Sequence, residues 1–220
     1  MTIKHKHSQL AARLMTEIGT LPLDGARVLE IGCENGWFAG QLKGHASYLG
    51  LDPSPEMVAA AEKAFPSGRF VAADFLSWEP PDERFDLVLF VDKIAHMPQQ
   101  DAVIAKMASL IKPGGHLVLT TENPFVYSRI CWVRPPAEGQ FRRWLTEDEL
   151  HRMLDASGLS RLRSYTVLPA GELGILKIIN ARKLNQPAQL VIPERWITGA
   201  KERCGLGQFR VVIARRNTDS

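Results

Sequence analysis

Short apolar runs alternate with helix-like segments along the first 121 residues, and this alternation restricts the fold more than any other feature. Five runs are typical of buried strands, at residues 27–31, 47–51, 69–72, 85–91 and 116–121. Residues 56–65 and 101–111 have apolar side chains at helical spacing. Lys112-Pro-Gly-Gly115 is predicted to end the helix at residues 101–111. Strands that alternate with helices form a parallel sheet. The sequence therefore predicts an α/β protein with a doubly wound sheet.

The composition is that of one ordinary globular domain. Of the 220 residues, 45% are hydrophobic and 23% charged, which allows a continuous core and excludes disordered and fibrous classes. No apolar run is long enough to span a bilayer, and residues 1–7 lack the apolar core of a signal peptide. The three cysteines are odd in number and far apart. These features predict a single domain over residues 1–220 in the cytoplasm.

The turn after the first strand, Gly32-Cys-Glu-Asn-Gly36, is the strongest candidate for a ligand loop. Its glycines allow a tight turn at the carboxyl end of the strand, where α/β proteins bind nucleotides, and a helix is predicted to begin at Trp37. Asp52 follows the second strand at a suitable distance from Glu30 to bind ribose hydroxyls. The loop and Asp52 together predict a nucleoside ligand.

The loop differs from that of dinucleotide-binding proteins. Those proteins need Gly-x-Gly-x-x-Gly, so that a diphosphate meets bare backbone at the helix N-terminus. Glu34 and Trp37 stand where the second and third glycines would be. The carboxylates of Glu30 and Glu34 would repel a diphosphate, but they suit a ligand that carries an ammonium and a sulfonium. The loop favours S-adenosylmethionine over NAD.

Five sequence blocks occur in the order found in class I methyltransferases, which the chain resembles from about residue 25 to 160. They are Val28-Leu-Glu-Ile-Gly-Cys-Glu-Asn-Gly36, Leu51-Asp-Pro-Ser-Pro-Glu-Met57, Phe70-Val-Ala-Ala-Asp-Phe75, residues 85–98 and residues 110–119. The resemblance implies a seven-stranded, mostly parallel sheet in the order 3-2-1-4-5-7-6, with helices on both faces. It also implies S-adenosylmethionine as cofactor. Within the family, the chain resembles the small-molecule and quinone-biosynthesis subgroup.

The resemblance implies a set of cofactor-binding residues. Asp52 is expected to bind the ribose diol and Asp74 the adenine amino group, with Met57 and Phe75 beside the adenine ring. The full expected set is Glu30, Gly32, Cys33, Gly36, Asp52, Pro53, Met57, Ala73, Asp74, Phe75 and Val91. Glu34 replaces the middle glycine that is usual in the subgroup. Its carboxylate either turns towards the cofactor's ammonium, or faces solvent or caps the next helix.

The implied reaction is an in-line displacement on the sulfonium methyl, which leaves S-adenosyl-L-homocysteine. The cofactor supplies the electrophile, so the protein must align the reactants, exclude water and often remove a proton. His96 is the first candidate for the proton acceptor, because it follows the fourth strand closely and its residue type suits base catalysis. Asp92 is the second candidate. An alternative role for His96 is to shape the pocket. No covalent nucleophile and no metal are predicted.

Substrate specificity is expected outside the cofactor core, residues 25–121. The segments concerned are an N-terminal helical cover at 1–24, a lid at 122–145 and a helical cap at 169–207 between strands six and seven. The cover includes a helix predicted over residues 8–19. The lid is too long to be a simple connection. Its candidate substrate contacts are Phe125, Tyr127, Arg129, Trp132, Arg143 and Trp144, each with internal packing or solvation as an alternative role.

The cap is the candidate membrane contact. Residues 173–184 have the pattern of a basic amphipathic helix, and Trp196 follows within the stretch 173–197. Such a helix either lies on an anionic membrane surface or packs on its own domain. His5 and His7 lack acidic or cysteine neighbours, so they are expected in a flexible N-terminal tail rather than in a metal site.

The predicted activity is methyl transfer from S-adenosylmethionine to a small molecule, with a mild preference for an oxygen acceptor. Two alternatives stay open: a lipid or quinone methyltransferase at the membrane surface, and a non-catalytic subunit that keeps the fold to support a partner. Nucleic acid is disfavoured as a substrate, since the basic C-terminal third lacks interleaved aromatic and basic residues. The sequence leaves the oligomeric state open.

Overall fold

A seven-stranded sheet organises the part of the chain that the computed structural model describes, residues 3–42, 44, 47–80, 83–129, 131, 133–169 and 194–218. The strands are β1 (Arg27–Ile31), β2 (Ser47–Asp52), β3 (Arg69–Ala72), β4 (Phe85–Val91), β5 (Ile111–Glu122), β6 (Leu159–Pro169) and β7 (Gly207–Arg216). Their order in the sheet is β3-β2-β1-β4-β5-β7-β6. The first five strands pair in parallel, and β7 is antiparallel to both β5 and β6. The predicted order and the predicted mostly parallel sheet are confirmed.

Helices connect these strands. They are α1 (Ile3–Ile18), α2 (Trp37–Gln41), α3 (Pro55–Ala64), a short 3-10 helix (Ile94–His96), α4 (Gln100–Leu110), α5 (Pro124–Arg129), α6 (Glu147–Ala156) and α7 (Glu194–Arg203). Local sequence explains where several begin: the Ser54 hydroxyl caps α3, and Thr146 and Glu149 form a capping box at α6. Within the described ranges, no helix is both long and apolar enough to cross a membrane.

Apolar residues that alternate along the central strands build two cores, one on each face of the sheet. Leu29, Val88 and Phe90 face a core that includes α4 and α6. Val28 and Leu89 face the opposite core, which includes α1, α2 and α3. Because side chains alternate between the faces of a strand, a continuous apolar run is what a sheet with helices on both faces requires.

Three sequence-based boundaries are corrected by the structure. The helix at the N-terminus begins at Ile3, so His5 and His7 belong to its first turns rather than to a tail. Residues 112–115 lie inside β5, which begins at Ile111, and the β4–β5 register shifts there. Strand β6 extends to Pro169 and strand β7 begins at Gly207, so both ends of the predicted cap at 169–207 belong to strands. The helix predicted over residues 173–184 lies outside the described residues.

Candidate functional site

The loop between β1 and α2 has a left-handed backbone at three alternate positions. The φ angles are +75° at Gly32, +49° at Glu34 and +73° at Gly36. The N–H groups of Gly32 and Cys33 both donate to the carbonyl oxygen of Leu51, at 2.7 and 2.9 Å. This pins the loop to the end of β2. Glu34 therefore keeps the backbone conformation that favours glycine, although it carries a side chain.

The two glycines of the loop are required for different reasons. A Cβ atom on Gly36 would lie 3.0 Å from side-chain atoms of Ala61 and Phe65, so this glycine lets α2 begin close against α3. A Cβ atom on Gly32 would lie 3.0 Å from Cε and 3.1 Å from Cγ of Lys93. The backbone of Gly32 is thus covered by the Lys93 side chain from the loop after β4.

Two cavities meet at this loop, on the carboxyl side of the parallel strands. The nucleoside-end cavity is lined by Ile31, Gly32, Glu34, Leu51, Asp52, Pro53, Met57, Ala73, Asp74, Phe75, Phe90, Lys93 and Met97. The amino-acid-end cavity is lined by Leu10, Ala11, Glu30, Gly32, Cys33, Glu34, Asn35, Trp37, Phe38, Val91, Asp92 and Lys93. They share Gly32, Glu34 and Lys93. Of the expected cofactor residues, all but Gly36 line one of the two cavities.

The nucleoside-end cavity contains two carboxylates held by backbone N–H groups. Asp52 is buried, and it accepts hydrogen bonds from the N–H of Glu34 at 2.9 Å and of Ser54 at 3.0 Å. Asp74 accepts from the N–H groups two and three residues further on, at 3.0 and 3.1 Å. A carboxylate has about four acceptor positions, so both keep capacity for a ligand. Met57 is 43% exposed at the same cavity, which leaves an apolar surface for a ring.

Glu30, at the base of the amino-acid-end cavity, is a buried acid whose pKa is shifted. Burial raises the pKa of Glu30 to about 8, and a hydrogen bond from the Tyr48 hydroxyl opposes that rise. Tyr48 lies on the neighbouring strand β2, so the sheet itself holds the carboxyl in place. A cationic ligand group beside Glu30 would favour its charged form.

An ion pair spans the junction of the two cavities. The Lys93 Nζ lies 2.5 Å from Oε1 of Glu34. Their side chains are 33% and 49% exposed. Glu34 therefore turns towards the cleft, and no side-chain hydrogen bond caps α2, whose N-cap is Gly36. The predicted alternative of a helix cap at Glu34 is wrong.

A pair of carboxyl groups lies where β4 and β5 end. Asp92 follows β4 with a φ of +54°, and its N–H donates to the Thr120 carbonyl and hydroxyl oxygens, at 3.1 and 2.8 Å. Burial raises the pKa of Asp92 to about 8, and the nearby charge of Glu122 adds to the rise. The adjacent ammonium of Lys93 opposes it. Burial and the charge of Glu122 thus favour the protonated form of Asp92 over a wider pH range than for an ordinary aspartate.

Two aromatic side chains of the lid, Tyr127 and Trp144, lie near this carboxyl pair. The indole N–H of Trp144 donates to Oε2 of Glu122 at 2.5 Å. The Tyr127 ring lies 5.8 Å from the Trp144 ring and 6.3 Å from that of Phe209 on β7. Burial, followed by the charges of Glu122 and Asp92, raises the pKa of the Tyr127 hydroxyl well above its ordinary range. The lid thus supplies neutral rings beside two acids.

The other described candidates for substrate contact, Phe125, Arg129 and Arg143, are not in the lining of the two cavities. Phe125 is 46% exposed, and the Arg129 guanidinium lies 5.5 Å from its ring. Arg143 pairs with Glu149 at 2.7 Å and donates to the Gln100 side chain, which places it in a groove between α4 and α6. Trp132 lies outside the described residues.

His96 ends the 3-10 helix after β4 and is exposed. Its N–H donates to the Lys93 carbonyl at 2.9 Å, and it is absent from the lining of both cavities. Asp92 lines the amino-acid-end cavity. Of the two proposed proton acceptors, the structure brings Asp92 rather than His96 to the cleft.

Three residues of the site escaped sequence reasoning. Tyr48 binds Glu30 across two strands, which no local pattern reveals. Glu122 ends β5, and its place at the carboxyl end of a predicted strand was the available signal. Lys93 directly follows Asp92, so its proximity to the loop could have been anticipated. Among the described residues, no cluster of three or more His, Cys, Asp or Glu side chains has the geometry to hold a metal ion.

Comparisons with known proteins agree on one family. A profile described as a methyltransferase domain matches residues 3–163. The ubiquinone biosynthesis O-methyltransferase of Xanthomonas euvesicatoria pv. vesicatoria is 35% identical over 127 residues, which cover 54% of this chain and 53% of that protein. Its counterpart in Rhizobium etli (strain ATCC 51251) is 30% identical over 154 residues, which cover 63% of this chain and 61% of that protein. The match thus spans less than two thirds of these relatives.

A solved structure shares the fold over nearly the whole length. The S-adenosylmethionine-dependent methyltransferase from Mesorhizobium loti matches with a TM-score of 0.67 at 22% identity. The match covers 94% of this chain and 98% of that one. The topology, including the antiparallel β7, is therefore that of a known protein architecture.

Proposed function

The chain belongs to the class I S-adenosylmethionine-dependent methyltransferases, and we propose that it methylates a hydroxyl oxygen of a small, quinone-like aromatic molecule. The observation that carries the choice of acceptor is the carboxyl pair of Asp92 and Glu122, set beside the rings of Tyr127 and Trp144. A phenolic hydroxyl must lose a proton as it attacks the methyl group. Flat, apolar lid rings suit a ring-shaped acceptor.

The two cavities fit the proposed cofactor by charge and shape. In the nucleoside-end cavity, Asp52 and Asp74 would hold the ribose hydroxyls and the adenine amino group, and Met57 would pack on the adenine ring. In the amino-acid-end cavity, Glu30 and Glu34 would face the ammonium. When bound, the cofactor supplies an electrophilic methyl group on a sulfonium. The acidic lining favours the cofactor's net positive charge.

Asp92 is the favoured proton acceptor. Its carboxyl lines the cleft, and its raised pKa of about 8 gives it the proton affinity that base catalysis near neutral pH requires. His96 remains the alternative, which requires a movement of its exposed helix towards the cleft. Glu122 would modulate the charge of Asp92, and the lid rings would exclude water from the acceptor hydroxyl.

A direct test uses methyl-labelled S-adenosylmethionine and a panel of ring acceptors. The purified protein is incubated with catechol, with 3,4-dihydroxybenzoate and with their amino analogues, and with extract fractions of polar metabolites, lipids and RNA. We expect label on hydroxylated rings and on quinone-like molecules in the lipid fraction. Transfer to amino analogues alone would reject O-methylation. Label confined to RNA would reject the small-molecule substrate.

Label found in the lipid fraction would also make the predicted membrane contact a question for experiment. Of its candidate residues 173–197, residues 173–193 lie outside the described part of the chain, and Trp196 on α7 is 67% exposed. Flotation with anionic and neutral vesicles separates the two roles proposed for the cap. Binding to anionic vesicles supports a surface-associated enzyme that takes a prenylated ring. Absence of binding supports a cap that packs on its own domain.

A further inference from the structure

Lys93 is the single cation in the lining of the two cavities, as far as the described residues show. The other charged residues of that lining are Glu30, Glu34, Asp52, Asp74 and Asp92. An acidic cleft suits the sulfonium and the ammonium of the cofactor, but the same molecule ends in a carboxylate. That carboxylate needs a cationic or hydrogen-bonding partner when it leaves water. Lys93 is the charged side chain available for it.

The Lys93 side chain lies in the path of a ligand that would occupy both cavities, and it also offers that ligand a positive charge. Its stem lies on the backbone of Gly32, and its ammonium pairs with Glu34 at 2.5 Å. Gly32, Glu34 and Lys93 line both cavities. A ligand that joins a nucleoside in one cavity to an amino acid in the other must therefore pass this ion pair. The pair would therefore lie against the amino-acid half of a ligand that occupies both cavities.

We propose that Lys93 and Glu34 form an internal ion pair that the amino-acid end of the cofactor replaces, with the cofactor's carboxylate on Lys93 and its ammonium on Glu34. This inference rests on the proposed function. The exchange conserves charge, since one internal ion pair becomes two between protein and ligand. Because both side chains are partly exposed, the internal pair contributes little to stability, and opening it is easy.

The exchange gives Lys93 a role in cofactor specificity. A ligand with the ammonium but without the carboxylate would break the Lys93–Glu34 ion pair without giving Lys93 a new anionic partner. A ligand with both groups satisfies both side chains. The protein should therefore prefer S-adenosylmethionine to decarboxylated S-adenosylmethionine, and this preference should depend on Lys93.

The test is a cycle of two ligands and two proteins, measured by titration calorimetry without an acceptor. S-adenosylmethionine and its decarboxylated analogue are titrated into the wild type and into Lys93→Met. We expect the wild type to bind the analogue at least tenfold more weakly, and Lys93→Met to bind the two ligands within about twofold. A ratio that stays the same in the variant would overturn the proposal. Wild-type protein that binds both ligands equally would do the same.

A matched control and a second readout distinguish this exchange from a role of Lys93 in acceptor binding. Lys63→Met changes an exposed lysine at the end of α3, outside both cavities, and should leave the ligand ratio unchanged. If Lys93→Met keeps the ligand ratio but weakens use of 3,4-dihydroxybenzoate and not of neutral catechol, Lys93 binds the acceptor's anion and the proposal is wrong. Wild-type protein that binds no S-adenosylmethionine would instead refute the proposed function itself.

Discussion

The two ends of the cleft hold their carboxyl groups by different means. At the nucleoside end, Asp52 accepts backbone N–H groups from the loops that follow β1 and β2, and Asp74 accepts two from the loop that follows β3. At the carboxyl ends of β4 and β5, the region proposed for the methyl acceptor and called the acceptor end below, Asp92 lies near Glu122, which accepts a hydrogen bond from the Trp144 indole. Backbone donors fix an acid in one orientation to bind a ligand. Burial beside a second acid instead gives Asp92 a proton affinity matched to neutral pH.

The largest effect expected from this difference is the loss of turnover in Asp92→Asn. The amide has nearly the shape of the acid but cannot accept the hydroxyl proton, and such a proton transfer contributes about 10²- to 10⁴-fold to rate. We expect kcat to fall by about that factor with a phenolic acceptor, while the Kd for S-adenosylmethionine changes less than about twofold. Steady-state kinetics and calorimetry give the two values.

His96→Gln is the matched control for Asp92→Asn. It removes the competing base from the exposed 3-10 helix, and we expect kcat to stay within about threefold of wild type. The opposite pattern, in which His96→Gln loses turnover and Asp92→Asn keeps it, would transfer the role of base to His96 and erase the proposed contrast between the two ends.

Asp52→Ala tests the nucleoside end and should affect binding rather than chemistry. Hydrogen bonds to a charged group contribute about 1.5–3 kcal/mol each, so losing the ribose contact should weaken cofactor binding about 10- to 100-fold. The variant also removes the acceptor of the Glu34 and Ser54 N–H groups. Asp52→Asn keeps an acceptor oxygen, so its cofactor affinity should fall less than that of Asp52→Ala. Unchanged affinity in both variants would refute the assignment of Asp52.

The grouping of residues at the proposed nucleoside end could be predicted from sequence, because these residues lie just after predicted strands. Gly32 and Asp52 directly follow predicted strands, and parallel strands bring their carboxyl ends to one edge of the sheet. The two-sided core follows from the same continuous apolar runs, whereas the strand order was implied by the family resemblance and is confirmed by the structure. The positive φ at Glu34 was hidden, since a loop normally marks such a position with glycine.

The acceptor end could not be read in the same way, because it joins residues that are distant in sequence. Asp92, Glu122 and Trp144 come from the ends of two strands and from the lid. His96 had the residue type expected of a base, yet the 3-10 helix turns it to the surface. Residue type alone predicts a pKa range. Burial and neighbouring charges set the pKa of a particular side chain, and so decide which group can act as the base.

The pH dependence of kcat/KM also tests the role proposed for Asp92, with a smaller expected effect than the substitutions above. In the free protein, burial and Glu122 raise the pKa of Asp92 to about 8, so the group is mostly protonated below that pH and cannot accept a proton. The rate should therefore rise about tenfold per pH unit up to about pH 8 and then level off. Glu122→Gln removes the second charge and should move the profile to lower pH. A wild-type plateau already reached below pH 7 would contradict the role of Asp92.

The smallest expected effect concerns Trp144, which ties the lid to the acceptor end. Trp144→Phe keeps a ring near Tyr127 but removes the N–H that donates to Glu122 at 2.5 Å. Because the lost bond orders the lid and does not itself contact the acceptor, we expect the KM for an aromatic acceptor to rise only about threefold. The cofactor Kd should not change, because among the described residues no lid side chain lines the nucleoside-end cavity. Phe141→Leu, a change at an exposed lid ring, is the control, and an equal rise in KM there would show that the lid acts only as an apolar cover.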